Sequence, residues 1–259
     1  MSKIHSTAII EDGAKIGEDV EIGPYAVIGS EAVIGNRVKI HGHAMISGST
    51  ILHDEVQVFP FAHIGGKTQD LKFAEGNKTY VEVGERTVLR EYVTVNCGTS
   101  DGESTILGKD CLLMAYCHVA HGCVFGNRVI VSNGTQFAGE VTVEDYATIS
   151  GLCGFHQFTR VGRYCMVAAA CTAKQDVLPY MLTEGNPPVA RGLNVVRLTR
   201  CGFPESSVKA LKEAYRILCR SGLNVSQAIE AIKNDVEQTE EIVNLVEFIQ
   251  NSKRGCLIK

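Results

Sequence analysis

The chain has no basic run and a formal net charge of −4, so the electrostatic footprint of non-specific nucleic-acid binding is missing. No charged-then-apolar leader precedes the first repeat at Ile4, and no apolar run is long enough to span a bilayer. That points away from a secretory signal or stable membrane insertion and toward a cytoplasmic protein. The ten cysteines show no paired metal-ligand spacing and read as reduced thiols, not as zinc ligands or disulfides. From Ile4 to Val167 the spacings of three and four that mark an amphipathic helix are also missing.

What is present instead is a period of six. Large apolar residues recur at Ile4, Ile10, Ile16, Ile22, Ile28, Ile34, Ile40, Ile46, Leu52, Val58 and Ile64, then at Val83, Leu89 and Val95, then from Leu107 to Val167. Four places after each sits a small or β-branched residue, among them Ala26, Ala44, Cys111, Cys117, Cys123 and Ala147. A fixed short period of this kind predicts a hexapeptide parallel β-helix in which three hexads make one coil. Cys111, Cys117, Cys123, Cys153, Cys165 and Cys171 all fall on the small inward position, where a thiol packs as a compact apolar group.

Two interruptions, about 65–80 and about 98–106, predict loops projecting from a corner. The first, with Gln69, Asp70 and Lys72, reads equally as a binding loop or a tolerated insertion; for the second, with Glu103, the surface-loop reading is preferred. The solenoid is expected over 1–190, and a linker with a small helical domain over 191–259. Gly185 to Arg191 reads as a proline-stiffened connection. Beyond Pro204, apolar residues at helical spacing predict three helices packed on the solenoid, about Val208 to Leu218, Ala228 to Val236 and Ile242 to Ile249.

If residues 18 apart are stacked, the hexads of Val119, Phe137 and Phe155 share one face. His121 then has Gly139 and Gln157 above it, with Glu140 and His156 alongside, Asn96 and Cys97 below, and His118 at the corner entering the face. A neutral imidazole there suits proton abstraction from a hydroxyl attacking an acyl carbonyl. A glycine lets its N–H approach the developing oxyanion closely. Two other readings stay open: exposed histidines without chemistry, and a non-catalytic solenoid used for interaction. A carbonic-anhydrase-like zinc site needs wider histidine spacing and a third ligand, which His118-x-x-His121 lacks.

The hexads, together with Gln69-Asp70-Leu71-Lys72, His118-Val119-Ala120-His121, Phe137-Ala138-Gly139, His156-Gln157-Phe158, Gln175-Asp176-Val177 and Gly192-Leu193-Asn194, closely resemble the UDP-N-acetylglucosamine acyltransferases, which open lipid A biosynthesis. The resemblance implies a left-handed parallel β-helix, a homotrimer with active sites between subunits, and transfer of an (R)-3-hydroxyacyl group from acyl carrier protein to the glucosamine 3-hydroxyl. It implies no metal or other cofactor, with the carrier-protein thioester as co-substrate. It makes His121 the general base and Gly139 the oxyanion donor. Asp70 and Lys72 would hold the sugar and its phosphates, His118, His156 and Gln157 would line the site, and Asn194 and Arg200 would contact the nucleotide. Arg160, Arg163, Lys174, Arg191 and Arg197 are candidates for contact with the acidic carrier.

The chain departs from the family at three site positions. Members often carry His at the position of Asn96, Asp at that of Gly122 and His at that of Glu140. The group orienting His121 is therefore something other than a carboxylate at 122, with a backbone carbonyl as the candidate, and Glu140 raises a second acceptor, a 3-amino analogue of the same sugar nucleotide. A related N-acyltransferase carries a further domain before its solenoid, for which hexads beginning at residue 4 leave no room. Val167-Ala168-Ala169-Ala170, where the family stops its acyl chain, fixes no length.

Overall fold

The computed structural model describes residues 1–258. The hexads fold into two-residue strands separated by tight corners, and the strands stack into three parallel sheets of 11, 9 and 8 strands that form the sides of a prism. Pairing partners are 18 residues apart where the repeat is uninterrupted, as in Ile16 with Ile34 and Phe137 with Phe155. The two insertions are absorbed with one local bulge, between Ile64 and Gly66, while Ile64 still pairs with Val95 and Val95 with Val119. The hexapeptide β-helix with helices at its C-terminal end is the architecture that the period predicts.

Burial follows the hexad. Ile28, Ile46, Val95, Val119 and Phe137 and the small inward residues Ala26, Cys117, Cys123 and Ala147 are all fully buried, in one core running along the prism axis. All six inward cysteines are free and buried. Their thiols are held high by burial, Cys111 and Cys117 near 11, which keeps them protonated and inert. The corners place bulky residues in the left-handed region, for example Tyr25 at φ 58°, Glu140 at φ 60° and Phe158 at φ 65°. That conformation is unfavourable for side chains with a Cβ, so the pairing and packing of each coil hold it in place.

The parallel stack ends in an antiparallel hairpin. Met181–Glu184 pairs with Val189–Leu193 on the edge of the 11-stranded sheet, so the segment expected as a stiff connection is the turn of a hairpin. Four helices follow: α1 Val195–Arg200, α2 Glu205–Arg220, α3 Val225–Asp235 and α4 Glu240–Gln250. The last three match the predicted helices; α1 was not predicted. Thr239 caps α4, and Asn224 with Gln227 forms a capping box on α3. Leu211, Leu218, Ile232, Ile242 and Leu245 build a second core against Leu178, Tyr180 and Met181 of the last coil, which covers the end of the solenoid. The buried Asp176 ties the C-terminal tail to the coils, accepting from the Arg160 N–H at 2.8 Å and the Ser252 hydroxyl at 2.7 Å. Among the described residues no helix is long and apolar enough to cross a membrane.

Candidate active site

The nine-stranded sheet carries the site. Its strands Thr94–Asn96, His118–Val119, Gln136–Phe137 and Gly154–Phe155 stack in that order and set the outward side chains one above another. Over them lies a cleft of about 720 Å³. Of the residues predicted for the site, Asp70, Lys72, His118, His121, Gly139, His156 and Gln157 all line it, with Gln69, Asn96, Gln136 and Lys174. The first insertion is thus the wall of this cleft. Asp70 is held in a local turn, its N–H donating to Thr68 Oγ1 at 3.1 Å and its Oδ1 accepting from the Lys72 N–H at 3.0 Å.

His121 is 9 % exposed. Its Nε2 faces the cleft, 3.5 Å from Asp70 Oδ2. Gly139 is directly above it: a Cβ at 139 would overlap the His121 ring, so only glycine fits there. The Gly139 N–H has no acceptor among the described residues and is free to donate. His118, expected at a corner, is instead the outward-facing first residue of its strand. It is paired with Thr94 Oγ1 at 2.7 Å, and burial lowers the pKa of its ring, which favours the neutral imidazole. His156 is exposed, and its Nδ1 lies 3.1 Å from both Arg254 Nη2 and the Gln157 carbonyl oxygen. Arg254 also donates to the Lys174 carbonyl, so the C-terminal tail closes one rim. Sequence reasoning missed Arg254, because nothing local marks a contact spanning 98 residues.

The second insertion departs from the preferred reading of a surface loop. Glu103 turns inward, its Oε2 accepting from the Thr99 and Ser100 N–H groups at 2.6 and 2.7 Å. Its Oε1 lies buried with no donor other than the Glu140 carboxyl, 3.8 Å from His121 Nδ1, which is unpartnered. Glu140 Oε1 approaches the same nitrogen at 3.9 Å. Both carboxylates stand where a side chain at position 122 would be. Gly122 has φ 65°, as do its stack-mates Glu140 and Phe158 within a few degrees. Backbone conformation alone therefore does not demand glycine at 122; the space taken by the two glutamates does.

Burial first, then the hydrogen bond and charge of Glu103, push the Glu140 carboxyl up to about 7. Burial acts upward on Glu103 too, but hydrogen bonds from Ser100, Glu140 and Thr99 and the nearby His121 hold it below the ordinary carboxylate range. The proton that the pair shares thus sits on Glu140 and is lost as pH rises through about 7. Because Glu140 binds its proton more tightly folded than unfolded, it lowers stability as pH rises from 4.5 to about 7, and the loss persists above that. Glu140→Gln should therefore raise the melting temperature over wild type at about pH 8 and leave it unchanged near pH 4; an equal effect at both would contradict the assignment.

Asn194 and Arg200 are not in this cleft. They border a second groove, of about 500 Å³, on the 11-stranded sheet with Ile130, Met166, Leu182 and Val196. The Asn194 side chain caps α1, accepting from the Arg197 N–H and donating to the Tyr164 carbonyl at 2.9 Å. Among the basic candidates for carrier contact, Arg160 is engaged by the Phe248 ring and carbonyl, and Arg163 by Glu144; Lys174 lines the cleft.

Residues 176–257 match the family model described as UDP N-acetylglucosamine O-acyltransferase, domain 2, and residues 13–48 match the bacterial transferase hexapeptide model. The chain is 40% identical over 257 residues to the acyl-[acyl-carrier-protein]–UDP-N-acetylglucosamine O-acyltransferase of Campylobacter concisus, covering 98% of this chain and 97% of that protein. It is 45% identical over 233 residues to the protein of the same name from Verminephrobacter eiseniae, covering 90% and 88%. The crystal structure of a UDP-N-acetylglucosamine acyltransferase from Bacteroides fragilis superposes with a TM-score of 0.96 at 40% identity, covering 98% and 99%.

Proposed function

The chain belongs to the acyl-[acyl-carrier-protein]–UDP-N-acetylglucosamine O-acyltransferase family, and we propose the following mechanism for the reaction, the first step of lipid A biosynthesis. His121 Nε2 takes the proton of the glucosamine 3-hydroxyl as that oxygen attacks the thioester carbonyl of the (R)-3-hydroxyacyl carrier protein. The oxyanion of the tetrahedral intermediate accepts from the Gly139 N–H. Collapse breaks the C–S bond, and the departing thiolate takes the proton back from the imidazolium. Atoms and protons balance without a metal or other cofactor, because the thioester supplies the activation.

The observation that carries this reading is the contact of the His121 ring with Gly139 in one cleft, with Asp70 and Lys72 on the facing loop. Asp70 and Lys72 hold the sugar and its phosphates, and His118, His156 and Gln157 line the acceptor and acyl positions. Lys174 on the rim suits an acidic carrier. The enzyme works in the cytoplasm, where charged acyl carrier protein is made.

In one chain Asn194 and Arg200 border a different groove from His121. That separation supports the homotrimer that the family resemblance implies, in which these residues of a neighbouring copy complete the cleft and contact the nucleotide. Co-expression of His121→Ala with Arg200→Ala chains tests this. Each variant alone should be nearly inactive, while mixed trimers should regain activity at about one in three of their sites, or about a quarter of all sites in a random 1:1 population, those pairing an intact His121 with an intact Arg200. Activity no greater than the sum of the two separate variants would overturn the shared site.

A further inference from the structure

We propose that Glu103 and Glu140 together form the device that orients His121, a carboxylate–carboxylic acid pair in which Glu103, supplied by the second insertion, faces Nδ1 and fixes the ring for chemistry at Nε2. This rests on His121 being the base. Nδ1 is a buried polar atom without a partner, and Glu103 Oε1, buried 3.8 Å away, has only the Glu140 carboxyl beside it to share a proton with. Each is the complement of the other, a donor when Nδ1 carries the proton and an acceptor when Glu103 is ionised. At that distance they attract by charge without a hydrogen bond, and a shift of about 1 Å as the imidazolium forms closes the contact to hydrogen-bond length.

The geometry assigns different parts to the two glutamates. Glu103 is fixed at its far oxygen by two backbone N–H groups, so its near oxygen cannot swing away from the ring. Glu140 sits one coil above, on a corner whose N–H donates to the His121 carbonyl at 2.9 Å, and its side chain is 38 % exposed. It holds the shared proton and donates it toward Glu103, limiting the negative charge beside the ring to one. The remaining charged group on His121 is Asp70, on the opposite nitrogen. Glycine at 122 is part of the same device, because a Cβ there would collide with both carboxylates. A carboxylate reaching the ring from a loop and one reaching it from the next coil thus replace any acidic side chain adjacent to the base.

With the proton on Nδ1, the Nε2 lone pair is free to accept the hydroxyl proton, and the ionised Glu103 stabilises the imidazolium. Glu103→Gln is the decisive variant. Its amide oxygen keeps the bonds to Thr99 and Ser100, but its NH2 then faces the ring, donor against donor, and favours the Nε2–H tautomer. Transfer rate, KM for both substrates and the imidazole 15N spectrum of the intact enzyme are the readouts. The expected result is a fall in kcat of about 100-fold with KM within about twofold and movement of the His121 proton from Nδ1 to Nε2; Glu103→Asp restores the Nδ1–H tautomer, and Glu140→Gln, which mimics the protonated acid, loses less than Glu103→Gln. A Glu103→Gln enzyme with wild-type kcat, or one that loses turnover with the tautomer unchanged, overturns the proposal. The tautomer is read whether or not His121 is the base, so failure of that reading, seen as wild-type turnover in His121→Ala, is distinguished from failure of the pair.

Discussion

His121→Ala keeps the fold and loses at least about 100-fold in kcat, the usual scale for removal of a general base. The fold survives because packing in this hexad is carried by Cys117, Val119 and Cys123, all fully buried, while His121 points outward into the cleft. The main-chain bond from the Glu140 N–H to the carbonyl of residue 121 also does not depend on the side chain. Steady-state kinetics beside a thermal melt checks both halves. Turnover near wild type would show that another group takes the proton, and a collapsed melt would show that the ring supports the coil.

Ile34→Asp has the opposite profile, loss of the protein and not of the chemistry. Ile34 is 2 % exposed and stacked between Ile16 and Leu52 in the interior of the prism. An aspartate there buries a charge with no partner, which destabilises on the order of 3–5 kcal/mol or more. Coils contact mainly their neighbours, so a defect in one interrupts the stack on both sides. The expected outcome is insoluble protein, or far-UV circular dichroism showing lost strand content. A soluble variant with full activity would contradict the hexad register itself.

The period of six carried most of the fold on its own, because a stacked interior admits only a few residue types at each inward position. Ile34, Val119, Phe137 and the six inward cysteines all lie where the register puts them. The column of His121, Gly139 and Gln157 was legible for the same reason, since stacking converts a spacing of 18 into adjacency. Less was legible where geometry depends on loops. Glu103 read as part of a surface loop because its inward turn is fixed by N–H groups of Thr99 and Ser100, which no spacing announces. The hairpin closing the 11-stranded sheet was hidden by the two prolines at its turn, Pro187 and Pro188, and α1 by its length of six residues. Arg254 reaches His156 only because the tail folds back along Asp176.

Glycine at 122 has its reason in the same loop. At the corner, Glu140 and Phe158 tolerate a left-handed backbone with full side chains, so what is special at 122 is that the Glu103 and Glu140 carboxyl groups fill the space a side chain would take. The acidic residues around His121 therefore flank both ring nitrogens: Asp70 at Nε2, Glu103 and Glu140 at Nδ1.

Purified protein is supplied with (R)-3-hydroxyacyl carrier proteins of several chain lengths and with either UDP-N-acetylglucosamine or its 3-amino analogue, and the acylated sugar nucleotide is identified by mass. An ester product from UDP-N-acetylglucosamine with at least one chain length is the result expected of an O-acyltransferase. Product from the 3-amino analogue alone, or from neither acceptor at any length, would contradict it.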